Sequence, residues 1–343
     1  MSLILLQAGV FLFAVLFTGS LRYWALKRKV LAVPKPHSAH RVPTPVGGGL
    51  ALLIPFVAVS SYAWWVGLMT GGTYLALYGA ILVALAGLLD DLRELPVLVR
   101  LTLQFLAAGW TLFWLDEVAP INLMGWQLNQ PWILTILALF ALVWLLNLYN
   151  FMDGTDGLAA TELVYVTLAV LLLSLNADAS LEVLMTATLM SSGVGFLVWN
   201  WAPAKVFMGD VGSGFCGFIL GLLALLSMQS GVMTLWTWLI LLGLFVSDTM
   251  LTLFRRSFRG QRWYEGHSSH AYQHLARRFN SHSKVAMILI VVNCMWLAPL
   301  AWWSTQWQDG GLIICMIALL PLAFSAYLIG AGTEASQSEM AAP

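Results

Sequence analysis

The chain has 343 residues, 60% hydrophobic and 9% charged, and its sixteen Lys and Arg balance sixteen Asp and Glu. A soluble domain carries roughly 25% charged residues, so this composition, with a mean hydropathy of +0.83, excludes one. Net charge near zero says nothing about nucleic acid, but no compact basic domain exists to bind it.

Apolar stretches recur at 3–24, 46–66, 72–89, 97–115, 131–149, 159–175, 181–200, 213–228, 232–254, 284–304 and 311–330. A bilayer crossing needs roughly 17–25 such residues, and lipid offers backbone groups no partner, so each must be a helix. The expected fold is an all-α polytopic membrane protein of about eleven transmembrane helices. Residues 1–330 form a single transmembrane domain, and 331–343 a short polar tail. The first stretch lacks a positive leading region and is followed by Lys27-Arg28-Lys29, so it reads as an insertion helix rather than a cleavable signal. Cys216, Cys294 and Cys315 all fall inside apolar stretches and read as small packing residues, without disulfide or zinc spacing.

Numbering the connecting segments alternately puts every Lys and Arg in the odd ones, from Arg22 to Lys284, while the even ones hold Asp116, Glu117, Asp178, Glu182 and Asp309. The positive-inside rule makes the odd side cytoplasmic. The amino terminus is then outside and the carboxyl terminus inside.

Five polar segments lie on that inner side. The first, 34–49, holds four prolines and three glycines around Lys35, His37, His40, Arg41 and Thr44; such a bent, cationic path suits either an anchor to anionic headgroups or a clamp on phosphate. The second is Asp90-Asp91, closing an apolar run just before Arg93. Adjacent carboxylates there need a divalent cation or a basic partner, and hard oxygen donors suit Mg²⁺ or Mn²⁺. In the third, Asn147, Asn150, Asp153 and Asp156 recur every third residue, interrupted by Gly154 and Gly157; a helix would turn all four towards one cavity. The fourth, Lys205 to Gly214, is glycine-rich and carries Asp210, Gly212 and Ser213 at a helix start, where N–H groups favour anions. The fifth, 255–283, brings arginines with His267, His270, His274 and His282. Asp248, about two turns inside the preceding apolar run, reads as a buried partner for Arg255 or a polar contact rather than a catalyst. Carboxylates from Asp90, Asp91, Asp153, Asp156 and Asp210 meeting His and Arg on one face suggest a metal-dependent site for a polyphosphate substrate. A secondary transporter is the alternative from another class, but it would place its site near the midplane.

Together, Pro43-Thr44-Pro45 with Gly48-Gly49, Asp90-Asp91, Asn147/Asn150/Asp153-Gly154/Asp156-Gly157-Leu158-Ala159, Phe207 to Ser213 and a His-containing last inner loop resemble the bacterial polyprenyl-phosphate N-acetylaminosugar-1-phosphate transferases, relatives of the MraY and WecA enzymes. The resemblance spans about residues 34–280. It implies a Mg²⁺-dependent enzyme of the bacterial inner membrane with its active site on the cytoplasmic face. A polyprenyl phosphate, normally undecaprenyl phosphate, attacks the β-phosphorus of a UDP-N-acetylaminosugar and releases UMP. By resemblance, Asp210 is the metal ligand, and Asp90 and Asp91 position the metal and activate the lipid phosphate. Asn150, Asp153 and Asp156 match the nucleotide- and sugar-contacting motif, and His270 the first histidine of the last-loop signature. Asp90, Asp91, Asp153, Asp156 and His270 form the expected catalytic set. Arg41, Thr44, Asn147, Asn150, Lys205, Gly212, Ser213 and His267 are the expected substrate contacts. The family's His-x-His-His becomes His270-Ala271-Tyr272-Gln273 here. That departure argues against the peptidoglycan-precursor enzyme and for initiation of O-antigen or another surface polysaccharide, with UDP-GlcNAc or a 6-deoxy-aminosugar as donor. Membrane lipids are expected neighbours, nucleic acid is not a partner, and a homodimer is left open.

Overall fold

The computed structural model describes residues 3–32, 42–93, 95–175, 180–261 and 267–334. Nearly all regular structure is helical: α1 (Leu3–Arg28), α2 (Leu50–Trp65), α3 (Gly71–Ala76), α4 (Tyr78–Arg93), α5 (Val97–Trp114), α6 (Pro131–Met152), α7 (Leu158–Ser174), α8 (Ser180–Asn200), α9 (Asp210–Gln229), α10 (Leu235–Leu241), α11 (Gly243–Phe258), α12 (Ala271–Phe279), α13 (His282–Val292), α14 (Ala298–Gln306) and α15 (Gly311–Ile329). Each of the eleven apolar stretches is helical. Among the described residues, eight helical segments are long and apolar enough to cross a membrane, and α10 with α11 makes a ninth if that pair, bent by 82°, is one span. The stretches at α2 and α7 form apolar helices of 16 and 17 residues. The chain is thus an all-α, multi-pass membrane protein.

Breaks within the apolar stretches have local causes. Thr70 and Thr234 cap α3 and α10 by accepting from Thr73 N and Thr237 N, which satisfies donors that lipid could not. Between α13 and α14, Asn293–Leu297 winds as a π-helix just ahead of Pro299; the proline lacks the N–H that a regular turn would use.

The core centres on α9, packed against α4 and α6. The contact with α4 is a backbone contact: a Cβ on Gly87 would lie 2.4 Å from the Asp210 carbonyl oxygen and 2.7 Å from Val211 N. Glycine there brings the end of α4 against the start of α9.

Two polar groupings stand at opposite ends of the bundle. At one end Asn122 donates to Asp309 at 2.6 Å, and the Trp236 indole donates to the Asn122 carbonyl at 2.7 Å. At the other stand Asp90, Asp91, Asn150, Asp153 and Asp210. The 22 residues of α6 run between the two, about 33 Å at 1.5 Å per residue.

Candidate active site

Three helix ends meet at this second pole: the C-terminal ends of α4 and α6 and the N-terminal end of α9. They enclose a cavity of about 1080 Å³, whose lining includes Asp90, Asp91, Asn150, Asp153, Asp156, Asp210, His267 and His270. The rest of the lining is largely apolar, with Leu21 and Trp24 from α1, Leu31, and Leu88 and Leu92 from α4. Trp24 and Leu92 are 53% and 61% exposed, so the apolar side reaches the outer surface of the bundle.

Asp91 supplies the missing cap of α9. Its Oδ1 accepts from Asp210 N at 2.9 Å and its Oδ2 from Val211 N at 3.2 Å. A helix start leaves its first N–H groups unpaired and carries partial positive charge, and a carboxylate answers both. Gly209 makes room: its φ is +74°, and a Cβ would lie 2.6 Å from Asp91 Oδ2. Asp90, buried, accepts from Leu95 N at 2.6 Å and from Arg100 Nη1 at 2.9 Å, so the ion pair ties α4 to α5.

Asp210 accepts from Asn150 Nδ2 at 2.8 Å, and the same amide nitrogen lies 2.9 Å from Ser213 Oγ. The Asp90 and Asp210 carboxyl groups lie within hydrogen-bonding distance of each other. Two carboxyls so placed must share a proton or a cation. Asp153 ends α6, and among the described residues its side chain accepts no hydrogen bond. Burial, then the nearby charges of Asp210, Asp91 and Asp156, push its carboxyl well above the ordinary range.

The turn after α6 is pinned from below. Asp156 Oδ2 accepts from Ala204 N at 3.0 Å, and Oδ1 lies 3.3 Å from His282 Nδ1 at the start of α13. Tyr272 donates to the Phe151 carbonyl at 2.9 Å, holding α12 against the end of α6. The His267 ring stacks on His270 at 5.0 Å. Burial first, then His270 and Arg256, lower His267 to about 3, so it serves as a neutral hydrogen-bonding group.

The structure redistributes several expected roles. The four residues at i+3 spacing do not share one helix face, because α6 stops at Met152 and the chain leaves the helix at Asp153. Asn147 stays on the helix and turns away from the cavity, exchanging hydrogen bonds with Gln104 of α5 at 2.7 and 3.3 Å. Gly212 is a packing residue, buried against Gly49, and Ser213 is buried behind Asn150. Thr44 is buried, donating to the Val42 carbonyl. Lys205 is exposed and sits over the Trp199 ring at 5.7 Å, outside the cavity lining. Arg41 lies outside the described residues. Arg100 joins the lining as the basic partner that the adjacent carboxylates need, and Tyr272 and Gln273, which stand where the family signature has histidines, line it too. Asp248 does not pair with Arg255, which donates to the Ala331 carbonyl at 2.7 Å; it binds the start of α12.

The donor set fits a hard divalent cation: the facing carboxyls of Asp90 and Asp210 and the open one of Asp153 supply only oxygen. Among the described residues no group of three or more His, Cys, Asp or Glu forms a closed metal cage. Mg²⁺ is commonly held by one or two carboxylates with water and substrate phosphates completing the shell. Asp90 and Asp91 already have both oxygens engaged by N–H donors, which leaves Asp210 as the principal candidate.

A multi-pass helical bundle with an acidic cavity at one end, part polar and largely apolar, defines a membrane enzyme acting where water and lipid meet. The family described as glycosyl transferase family 4 matches residues 73–228. A probable undecaprenyl-phosphate N-acetylglucosaminyl 1-phosphate transferase of Bacillus subtilis is 27% identical over 299 residues, covering 81% of this chain and 78% of that protein. Phospho-N-acetylmuramoyl-pentapeptide-transferases of Moorella thermoacetica and Streptococcus pneumoniae are each 31% identical, covering 63% and 74% of this chain and 70% and 81% of their own lengths. The chain belongs to this family of phosphosugar transferases, the MraY and WecA relatives.

Proposed function

We propose that this chain transfers an N-acetylaminosugar-1-phosphate from a UDP-sugar to undecaprenyl phosphate, releasing UMP, at the cytoplasmic face of the bacterial inner membrane. Eleven crossings, with a periplasmic amino terminus and a cytoplasmic carboxyl terminus, put the acidic pole on the side where UDP-sugars are made. The donor is UDP-GlcNAc or a 6-deoxy-aminosugar nucleotide, and the product initiates O-antigen or another surface polysaccharide.

The observation that carries the reading is the convergence of Asp90, Asp153 and Asp210 on one cavity that also has an apolar side, formed by Leu21, Trp24, Leu31, Leu88 and Leu92. A water-soluble diphosphate and a prenyl chain need those two surfaces side by side. Asp210, with Asp90 across from it, would hold Mg²⁺, with Mn²⁺ as the alternative. When bound, the ion neutralises phosphate oxygens and polarises the phosphorus under attack. Arg100 steadies Asp90, Asp91 fixes the start of α9, and Asn150 orients the Asp210 carboxyl. Asp153 is the carboxyl left open to the acceptor phosphate and can hold its proton. The apolar residues of α1 and α4 give the prenyl chain its route in. A transporter would place its site near the midplane, whereas these carboxylates gather at one end.

The test is UMP release in proteoliposomes containing undecaprenyl phosphate, with each UDP-aminosugar and with or without Mg²⁺. Wild-type protein should release UMP only with metal. Asp210→Asn should lose about 100-fold or more, in line with removing a preorganised charge at a reacting centre. Asp309→Asn, at the far pole, should retain activity. Equal turnover by both variants, or substrate uptake without UMP, would reverse the assignment.

A further inference from the structure

Asp248 lies inside α11, is 6% exposed, and does not line the cavity. Its carboxylate nevertheless organises the cavity's histidine wall. Oδ1 accepts from Ala271 N at 2.9 Å and from Thr252 Oγ1 at 3.1 Å, and lies 3.3 Å from His270 Nδ1; Oδ2 accepts from Tyr272 N at 3.0 Å. Asp248 therefore caps α12 from outside that helix and grips the ring of the residue that precedes it.

A carboxylate is an acceptor only, so the His270 nitrogen facing it must carry the hydrogen. In the neutral ring the other nitrogen, Nε2, then holds the lone pair. That atom is buried, with no hydrogen-bond partner, in a residue only 1% exposed that lines the cavity. The opposite tautomer would set the Nδ1 lone pair against the carboxylate and strand a buried N–H. The His267 and Tyr272 rings, stacked on His270 at 5.0 and 5.7 Å, keep its plane from turning.

We infer that Asp248 is the positioning residue of the site, fixing the tautomer and direction of His270 so that Nε2 meets a proton-bearing group of the sugar nucleotide, a hydroxyl or an amide N–H. The inference rests on the transferase reading for the identity of that group, and on the hydrogen bonds alone for the tautomer. Partners of this kind commonly matter about 10- to 100-fold, as does a misplacement of about 1 Å.

Two measurements on the full chain in nanodiscs decide it. The first is ¹⁵N NMR of histidine-labelled protein, with His270 assigned by its loss in His270→Gln. At a pH where the ring is neutral, it carries hydrogen on Nδ1 and none on Nε2, and Asp248→Glu keeps that pattern. Hydrogen on Nε2 in the wild type overturns the inference, and this readout needs no variant of Asp248 to fold. The second is kinetics. Asp248→Asn should lower kcat by about 10- to 100-fold with KM for the UDP-aminosugar moved far less, and Asp248→Glu should recover much of the loss. Asp248→Asn/His270→Gln should be no worse than His270→Gln alone, since residues acting as a unit are not additive. Additive losses, or a fully active Asp248→Asn, overturn it. Absence of UMP release by the wild type would sink the transferase reading instead, and the ring spectra would still decide the role of Asp248.

Discussion

Gly49→Ala tests the backbone contact that joins the first inner loop to the start of α9. A Cβ at position 49 would fall 2.1 Å from Gly212 Cα and 2.4 Å from Gly212 N, with the Met208 carbonyl at 3.1 Å. All three are backbone atoms, so no side-chain tip can swing aside. Restoring an ordinary contact of 3.4 Å needs a separation of more than 1 Å. That movement also pulls on two hydrogen bonds, Gly48 N to the Phe207 carbonyl at 3.0 Å and Gly49 N to the Met208 carbonyl at 2.9 Å. Overpacking costs about 1–3 kcal/mol and each lost hydrogen bond about 0.5–1.5 kcal/mol, so a loss of about 2–6 kcal/mol follows. Asp210 lies two residues from Gly212, and a 1 Å misplacement of a catalytic group can cost about 100-fold. The assay is thermal unfolding by tryptophan fluorescence in nanodiscs, paired with UMP release. Gly109→Ala is the control, because a Cβ there meets nothing within 4 Å on an exposed face of α5; it should be neutral or stabilise by up to about 1 kcal/mol. If Gly49→Ala melts and turns over like wild type, the close approach is not a structural requirement and the packing argument fails.

Asp91→Asn keeps one acceptor for the α9 cap and should lose less stability than Asp91→Ala, which forfeits about 0.5–2 kcal/mol; a thermal-shift series ranks them, and equal melting would show that the cap contributes nothing. Glu162, buried in α7, accepts from Asn293 Nδ2 at 2.6 Å. Glu162→Gln should therefore be tolerated, while Glu162→Ala strands the amide at about 1–3 kcal/mol, as detergent unfolding would show. His267 is held at about 3 by burial, below its ordinary value near 6.5. As pH falls from about 6.5 the unfolded chain takes up a proton that the folded chain refuses, so this group costs stability in acid and nothing above pH 7. His267→Gln should then gain on wild type as pH drops from 7 to 5, and a melting difference that does not change with pH would contradict this.

The membrane class and the helical stretches were legible because hydropathy is a property of long windows, and each apolar window became helix. The acidic pole was legible for a related reason: carboxylates beside an apolar run are costly, so Asp90, Asp91, Asp153 and Asp210 stand out. What sequence could not show is which atoms each carboxylate faces. Period-three spacing placed Asn147 with Asn150, but the end of α6 lies between them and Asp153, and Gln104, 43 residues away, claims Asn147. Glycine richness around Gly212 suggested an anion cradle; the same absence of side chains serves a backbone crossing with Gly49. Asp248 was visible as a buried charge, yet its partner belongs to a loop more than twenty residues on, where a capping interaction has no local signature.

The electrostatics of the pole explain why the three helix ends belong together. Asp90 and Asp91 close α4, and Asp153 closes α6, so all three sit at negative helix termini, where a carboxylate is disfavoured. The positive terminus of α9 faces them, and Asp91 caps it with two hydrogen bonds. Arg100 compensates Asp90. No cationic side chain of the described residues pairs with Asp153 or Asp210. A fold that only needed stability would place amides or cations there. Leaving two carboxyls uncompensated beside a cavity of this size favours an arriving positive charge, and a metal carried in with a diphosphate supplies it while bringing the substrate to the open Asp153. The same imbalance predicts that Asp153→Asn, an isosteric change that removes charge, stabilises the unliganded protein while lowering turnover. A melting temperature that falls in Asp153→Asn would show the carboxylate to be compensated already and would remove this argument for the cation.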